Sequence, residues 1–190
     1  ALQEEVCTLE DTIDCENGEY RPLRGRVLHD VHGYGDLEFP YVFIKSSNIG
    51  TVKIAQKLGE KKLYHYIRQF GFGEVTDIDL PGEVGGIIRK PQYWSKYSIT
   101  SIPIGQEVAV TALQMAVAMS AVANGGNLVR PYVIDHISDR ENIVIKETKP
   151  YVRRTFLKDS VCDRVRDILT SVVAEGTGKR AQIDGVAVAG

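Results

Sequence analysis

The chain has 190 residues, enough for one domain of ordinary size or a large piece of one, and short for two. Its hydrophobic fraction of 43% and charged fraction of 25% exclude a disordered or collagen-like chain. With 23 Lys and Arg against 25 Asp and Glu, for a formal net charge of −2, there is no basic surplus to neutralise a phosphate backbone, so no nucleic-acid partner is expected.

Residues Ala1–Glu5 (ALQEE) read as the last turn of a helix, since nothing in them caps an N-terminus. From Cys7 to Pro40 the text is turn-rich, with Asn17-Gly18, Arg24-Gly25, His32-Gly33 and Gly35-Asp36 separating short segments that pair as small strands or lie irregularly. A helical period begins in SSNIGTVKIAQKLG. Ser47 or Asn48 caps it, Ile49, Val52, Ala55 and Leu58 share one face, and Gly59 stops it. A second helix follows, with Leu63, Ile67 and Phe70 as its buried stripe. Residues 72–103 hold too many Gly and Pro for long elements and predict a long ordered loop of the kind that wraps over a site.

Thr111 and Gln114 form a capping-box pattern ahead of a helix whose other residues up to Ala123 are apolar except Ser120. That composition predicts a fully buried central helix. Residues 127–134 and 142–147 suit strands or extended connectors. Asp159 is positioned to cap a last amphipathic helix, with Val161, Val165, Ile168, Leu169 and Val172 inward and Gly176-Thr177-Gly178 as its stop. Ile183–Gly190 (IDGVAVAG) reads as a strand entering a sheet. Both ends of the chain thus read as cut through an element.

No apolar run approaches the roughly 18–20 residues of a membrane span, and no signal-peptide pattern opens the chain. Cys7, Cys15 and Cys162 contain no C-x-x-C pair, so packing is their expected role, with a Cys7–Cys15 bridge left open in an oxidising compartment. His29 and His32 sit in a Gly-rich stretch that does not read as helical, and no metal or cofactor is expected.

Gly176-Thr177-Gly178-Lys179 resembles the tail of a phosphate-binding loop, but Val173 and Arg180 stand where that motif needs Gly and Ser or Thr. Gly71-Phe72-Gly73 is half a dinucleotide fingerprint and follows a helix instead of a strand. There is no Gly-x-Ser-x-Gly and no His-Glu-x-x-His. What remains is Ser46-Ser47-Asn48 at the mouth of a helix, where two explanations stand: ordinary caps, or an active-site Ser-x-Asn.

The surrounding text favours the second. FIKSSNIGTVKIAQKLG, FGFGEVTDIDLPGE, IPIGQEVAVTALQMAVAMSAVANGG with LVRP, and GVAVAG together resemble the transpeptidase domain of class B penicillin-binding proteins, in order and over nearly the whole chain. The resemblance implies an α+β chain, a helix-rich part of the penicillin-binding transpeptidase fold with its central sheet mostly missing, spanning residues 1–190 as a partial domain. It implies three motifs: Ser-x-x-Lys, Ser-x-Asn and Lys-Thr-Gly. Only the middle one is present, because no serine has Lys three residues on and no lysine precedes Thr-Gly or Ser-Gly. The other two are expected just before Ala1 and just after Gly190.

In such enzymes a serine attacks the carbonyl of a stem peptide ending in D-alanyl-D-alanine, and an acceptor amine resolves the acyl-enzyme; β-lactams mimic the donor. Ser46 then corresponds to the hydroxyl that relays a proton toward the leaving group, and Asn48 to the amide that holds the donor peptide and the catalytic lysine. Ser47 is expected to turn away and serve the helix end. No cofactor is implied. The resemblance further implies a membrane-anchored, extracytoplasmic parent acting in cell-wall synthesis and cell shape, with a SEDS-type glycosyltransferase and other cell-wall synthesis proteins as partners. The alternatives are a β-lactamase or D,D-carboxypeptidase of the same superfamily, or a non-catalytic scaffold module.

Overall fold

The computed structural model describes residues 1–190. Residues Leu2–Glu4 form a single 3₁₀ turn, closed by Glu5 in the left-handed region. The turn-rich segment then makes two small antiparallel ladders. In one, β1 (Thr12–Asp14) pairs with β4 (Asp36–Glu38); in the other, β2 (Glu19–Leu23) pairs with β3 (Arg26–His29). The register Ile13↔Leu37 buries Ile13, and the β2–β3 register carries an irregularity between Tyr20 and Leu23.

Next comes α1 (Phe39–Ile44), a six-residue helix absent from the sequence expectations. Pro40 sits in its first turn, where a missing N–H is harmless. It leads directly to α2 (Asn48–Leu58), whose Ile49, Val52, Ile54 and Ala55 are buried and whose run stops at Gly59 with φ 84°. The third helix, α3 (Glu60–Gln69), has no fully buried residue. Its expected stripe is only half-covered, because Leu63 and Phe70 line an open apolar hollow of about 360 Å³ shared with Ala1, Phe43, Leu58 and Val165.

The long loop is ordered by specific bonds. Ile87 and Ala109 exchange backbone bonds of 2.7 and 3.1 Å, and Gln114 Nε2 donates to the carbonyls of Glu74 (2.7 Å) and Gly85 (2.8 Å). The Glu74 carboxylate in turn accepts from Arg68 (2.7 Å) and Arg154 (2.6 Å). Later in the same loop, α4 (Ser98–Ser101) packs against α2.

The capping box at Thr111 and Gln114 is present and starts α5 (Ala112–Ala123). Full burial of this helix was expected and is not found. Gln114, Val117, Ala118, Ala121 and Val122 are buried, while Met115 and Met119 are 46% and 41% exposed. Composition set the expectation, but packing partners decide burial, and residues 1–190 cover only one side of α5.

After α5, β5 (Asn127–Val129) pairs with β8 (Val152–Thr155), and β6 (His136–Ser138) with β7 (Val144–Glu147). Helix α6 (Asp159–Ala174) follows. Its N-cap is Lys158, with no side-chain cap bond, so Asp159 enters the first turn and acts on the helix dipole instead of capping. Val161, Ile168 and Val172 face inward as expected.

Ile183–Gly190 does not form a strand. It holds one isolated bridge, Ile183↔Val186, and Gly190 N–H donates to Leu169 O on α6. Strand propensity needs a neighbour to ladder with, and no strand of these residues lies beside it. The fold is therefore α+β with helices as its body and four two-stranded ladders at its margins. The largest core cluster joins Leu2, Cys7 and Ile13 to Phe39, Val42, Ile54, Val161 and Ile168, which fastens α6 to α1 and α2. All three cysteines are free and buried, with Cys7 and Cys15 in different clusters.

Candidate functional site

The Ser46-Ser47-Asn48 triplet stands at a corner between two helices, and each residue has a different task. Helix α1 ends in a Schellman motif: Ser46 N–H donates to Phe43 O (3.0 Å) and Ser47 N–H to Val42 O (2.8 Å). This places Ser46 at the left-handed position, with φ 54°, where Gly is the usual occupant. A left-handed conformation costs an L-residue about 1–2 kcal/mol. A serine there, exposed to solvent, is a strained residue of the kind that clusters at functional sites.

Ser47 turns inward and is 1% exposed. Its Oγ accepts from Gly50 N (2.9 Å) as the N-cap of α2 and donates to Asp30 Oδ2 (2.6 Å), with Cys15 Sγ 3.3 Å away. The Asp30 carboxylate also accepts from Ile49 N (3.1 Å), so it satisfies a second free N–H at the helix start. Burial raises the Cys15 thiol above its ordinary pKa, with the Ser47 hydrogen bond opposing; this cysteine is packing.

Asn48 is half-buried. Its Nδ2 donates to His29 O (3.1 Å), which fixes the amide plane and leaves Oδ1 without a partner in the chain. Ser46 Oγ meets Thr177 Oγ1 at 2.9 Å, 131 residues away. The Gly176-Thr177-Gly178 turn reaches the corner because Thr177 N–H donates to Ile44 O (3.3 Å), and because a Cβ on Gly176 would collide with Ile44 O and Val172 O. The structure thus brings both expected site residues, Ser46 and Asn48, to one corner. It adds two groups that sequence reasoning did not single out, Asp30 and the His29 carbonyl, and it brings in Thr177, whose Gly176–Gly178 turn the sequence marked without linking it to Ser46.

Chemically, this corner presents a hydroxyl pair and an oriented carboxamide. A hydroxyl donates and accepts at once, and an amide can hold an acceptor and a donor together. The corner suits proton relay and the holding of a peptide group. The exposed pair contains no activated nucleophile, since neither Ser46 Oγ nor Thr177 Oγ1 is bonded to a basic side chain.

The family model for the penicillin-binding protein transpeptidase domain matches residues 1–190. The chain belongs to that family. Among curated members of the transpeptidase family, it is 36% identical over 162 residues to stage V sporulation protein D of Bacillus subtilis, covering 83% of this chain and 25% of that protein. It is 34% identical over 177 residues to penicillin-binding protein PbpB of Mycolicibacterium smegmatis, covering 88% and 27%. The chain therefore spans about a quarter of the length of these relatives. The apo crystal structure of penicillin-binding protein 3 from Mycobacterium tuberculosis superposes with a TM-score of 0.86 at 29% identity, covering 97% of this chain and 43% of that one. The same protein complexed with aztreonam gives 0.85 at 29%, covering 96% and 42%. The D,D-transpeptidase domain from Eggerthella lenta, at 24% identity and a TM-score of 0.88, shares the fold over 100% of this chain and 49% of that one.

Proposed function

We propose that these residues form the Ser-x-Asn wall of a peptidoglycan D,D-transpeptidase, which cross-links stem peptides through a serine acyl-enzyme and is acylated by β-lactams. The observation that carries this is the division of labour at the corner. The Ser47 side chain caps α2, while the Ser46 hydroxyl bonds neither helix end and stays exposed at the left-handed closing position of α1, where glycine is the usual occupant. In this role Ser46 relays a proton toward the leaving group, and Asn48, anchored through Nδ2, offers Oδ1 to the donor peptide or the catalytic lysine. The nucleophilic serine, its lysine and the Lys-Thr-Gly strand come from outside the 190 residues, because none of them is encoded within. A stem peptide ending in D-Ala-D-Ala is the proposed donor. Support comes from one relative named a probable peptidoglycan D,D-transpeptidase, PbpC of Pseudomonas aeruginosa, 32% identical over 169 residues, and from the aztreonam complex of another. A membrane-anchored, extracytoplasmic parent that works with a SEDS-type glycosyltransferase completes the proposal.

The test is acylation of the full-length protein by a fluorescent penicillin. Ser46→Ala and Asn48→Ala should each slow it by roughly 10²- to 10⁴-fold, the usual worth of a positioned proton-transfer group, and Ser47→Ala should slow it less. If Ser47→Ala were the most damaging of the three, the assignment within the motif would be wrong.

A further inference from the structure

The hydroxyl of Thr177 has no partner in the chain except Ser46 Oγ, and Ser46 Oγ has none except Thr177. We propose that Thr177 is a positioning residue for Ser46: its Oγ1–H donates to Ser46 Oγ and so directs the Ser46 proton into the site. This rests on the relay role given to Ser46 above. Each hydroxyl carries one proton and two lone pairs. Were Ser46 the donor, its proton would be held by Thr177 and withheld from the reacting group. Only Thr177 as donor leaves Ser46 able to deliver its own proton while still held at 2.9 Å.

Two further observations fit this role. The meeting of the two segments is built into the backbone, by the Thr177 N–H bond to Ile44 O and by the close approach that Gly176 permits. The β-branched threonine is also stiff at χ1, so its hydroxyl is aimed before substrate arrives, whereas a serine rotor there would have to be ordered. The hydroxyl pair is itself exposed, where a single neutral hydrogen bond adds little to folding. Stability therefore gives no reason for it.

The experiment measures single-turnover acylation of the full-length protein by fluorescent penicillin in Thr177→Val, Thr177→Ser, Ser46→Ala and the Ser46→Ala/Thr177→Val double variant. Valine keeps the shape of threonine and removes the hydroxyl; both positions are exposed, so all four variants should melt with the parent. Thr177→Val should slow acylation about tenfold, the worth of one neutral hydrogen bond. Thr177→Ser should stay within about threefold of the parent. In the Ser46→Ala background the valine should add less than about twofold, because the two residues act as one unit. A Thr177→Val rate equal to the parent, or a full tenfold loss added on top of Ser46→Ala, overturns the inference while the Ser46 assignment stands. An unaltered Ser46→Ala rate overturns that assignment, and this inference with it.

Discussion

Replacing Ser46 by glycine should make the protein more stable than replacing it by alanine. At most exposed positions outside regular structure the order is the reverse, because glycine loses more backbone freedom on folding, by about 0.4–1 kcal/mol. Ser46 is different because it holds φ 54° at the end of α1. Alanine would keep the left-handed strain of about 1–2 kcal/mol, and glycine would release it. The difference leaves Gly ahead of Ala by about 0.5–1 kcal/mol. At about 2–4 °C per kcal/mol for a chain of this size, that is a melting difference of roughly 1–4 °C. Both variants lose the same bond to Thr177, so it cancels in the comparison. Differential scanning calorimetry of the two proteins reads the result directly. Alanine equal to or above glycine would mean that Ser46 is unstrained and that its conformation says nothing about function. On the proposed role both variants should lose acylation alike, so the glycine protein should be the more stable of two equally impaired variants.

Three further outcomes are expected. Asp30→Ala removes the acceptor of two charge-assisted bonds, to Ser47 Oγ and Ile49 N, and should cost about 2–3 kcal/mol in urea unfolding; a loss under about 0.5 kcal/mol would refute its pinning of α2. Backbone bonds from Ile134 and Val133 hold the Asp79 carboxyl below its ordinary 3.8. The stability this gives is fully present above pH 3.8 and disappears as pH falls through the lower folded value. The protection of the Val133 and Ile134 amides, taken relative to their intrinsic exchange rates, should therefore fall only in that acid range, and protection already lost near neutral pH would contradict it. Burial raises the thiols of Cys7, Cys15 and Cys162, so a disulfide reagent should find no fast thiol in the native protein and three in urea; one fast thiol beforehand would show that a core cluster is open.

What the sequence made legible was whatever a helical period or a short-range motif encodes. Helices α2 and α6 and the Thr111–Gln114 box follow from residues three and four apart. The inward turn of Ser47 also matches expectation, as does packing for the cysteines. Helix α1 was hidden because six residues, nearly all apolar, show no period. The exposed side of α5 and the absent ladder at Ile183–Gly190 depend on neighbours that composition does not reveal. At the site, the triplet was readable but its supports were not. Asp30 lies 17 residues from Ser47, and Thr177 lies 131 from Ser46 inside a turn that the sequence offered as a helix stop and as the tail of a rejected phosphate loop, with nothing local to tie it to Ser46. The one local clue that passed unused is that KSSN ends one helix and begins another with no glycine between.

That corner also fixes the length of the chain. Segments between helices ordinarily absorb insertions and deletions. Between Ile44 and Asn48 stand only Lys45, Ser46 and Ser47, and the last is both the closing residue of one helix and the opening residue of the next. A residue added or removed here either breaks one of those two ends or turns α2 by about 100° about its axis. Such a turn would swing Ile49 and Val52 out of their cluster and carry Asn48 away from the His29 carbonyl. Variation in this stretch can take the form of substitution, but a change in the number of residues would dismantle the corner before any question of chemistry arose.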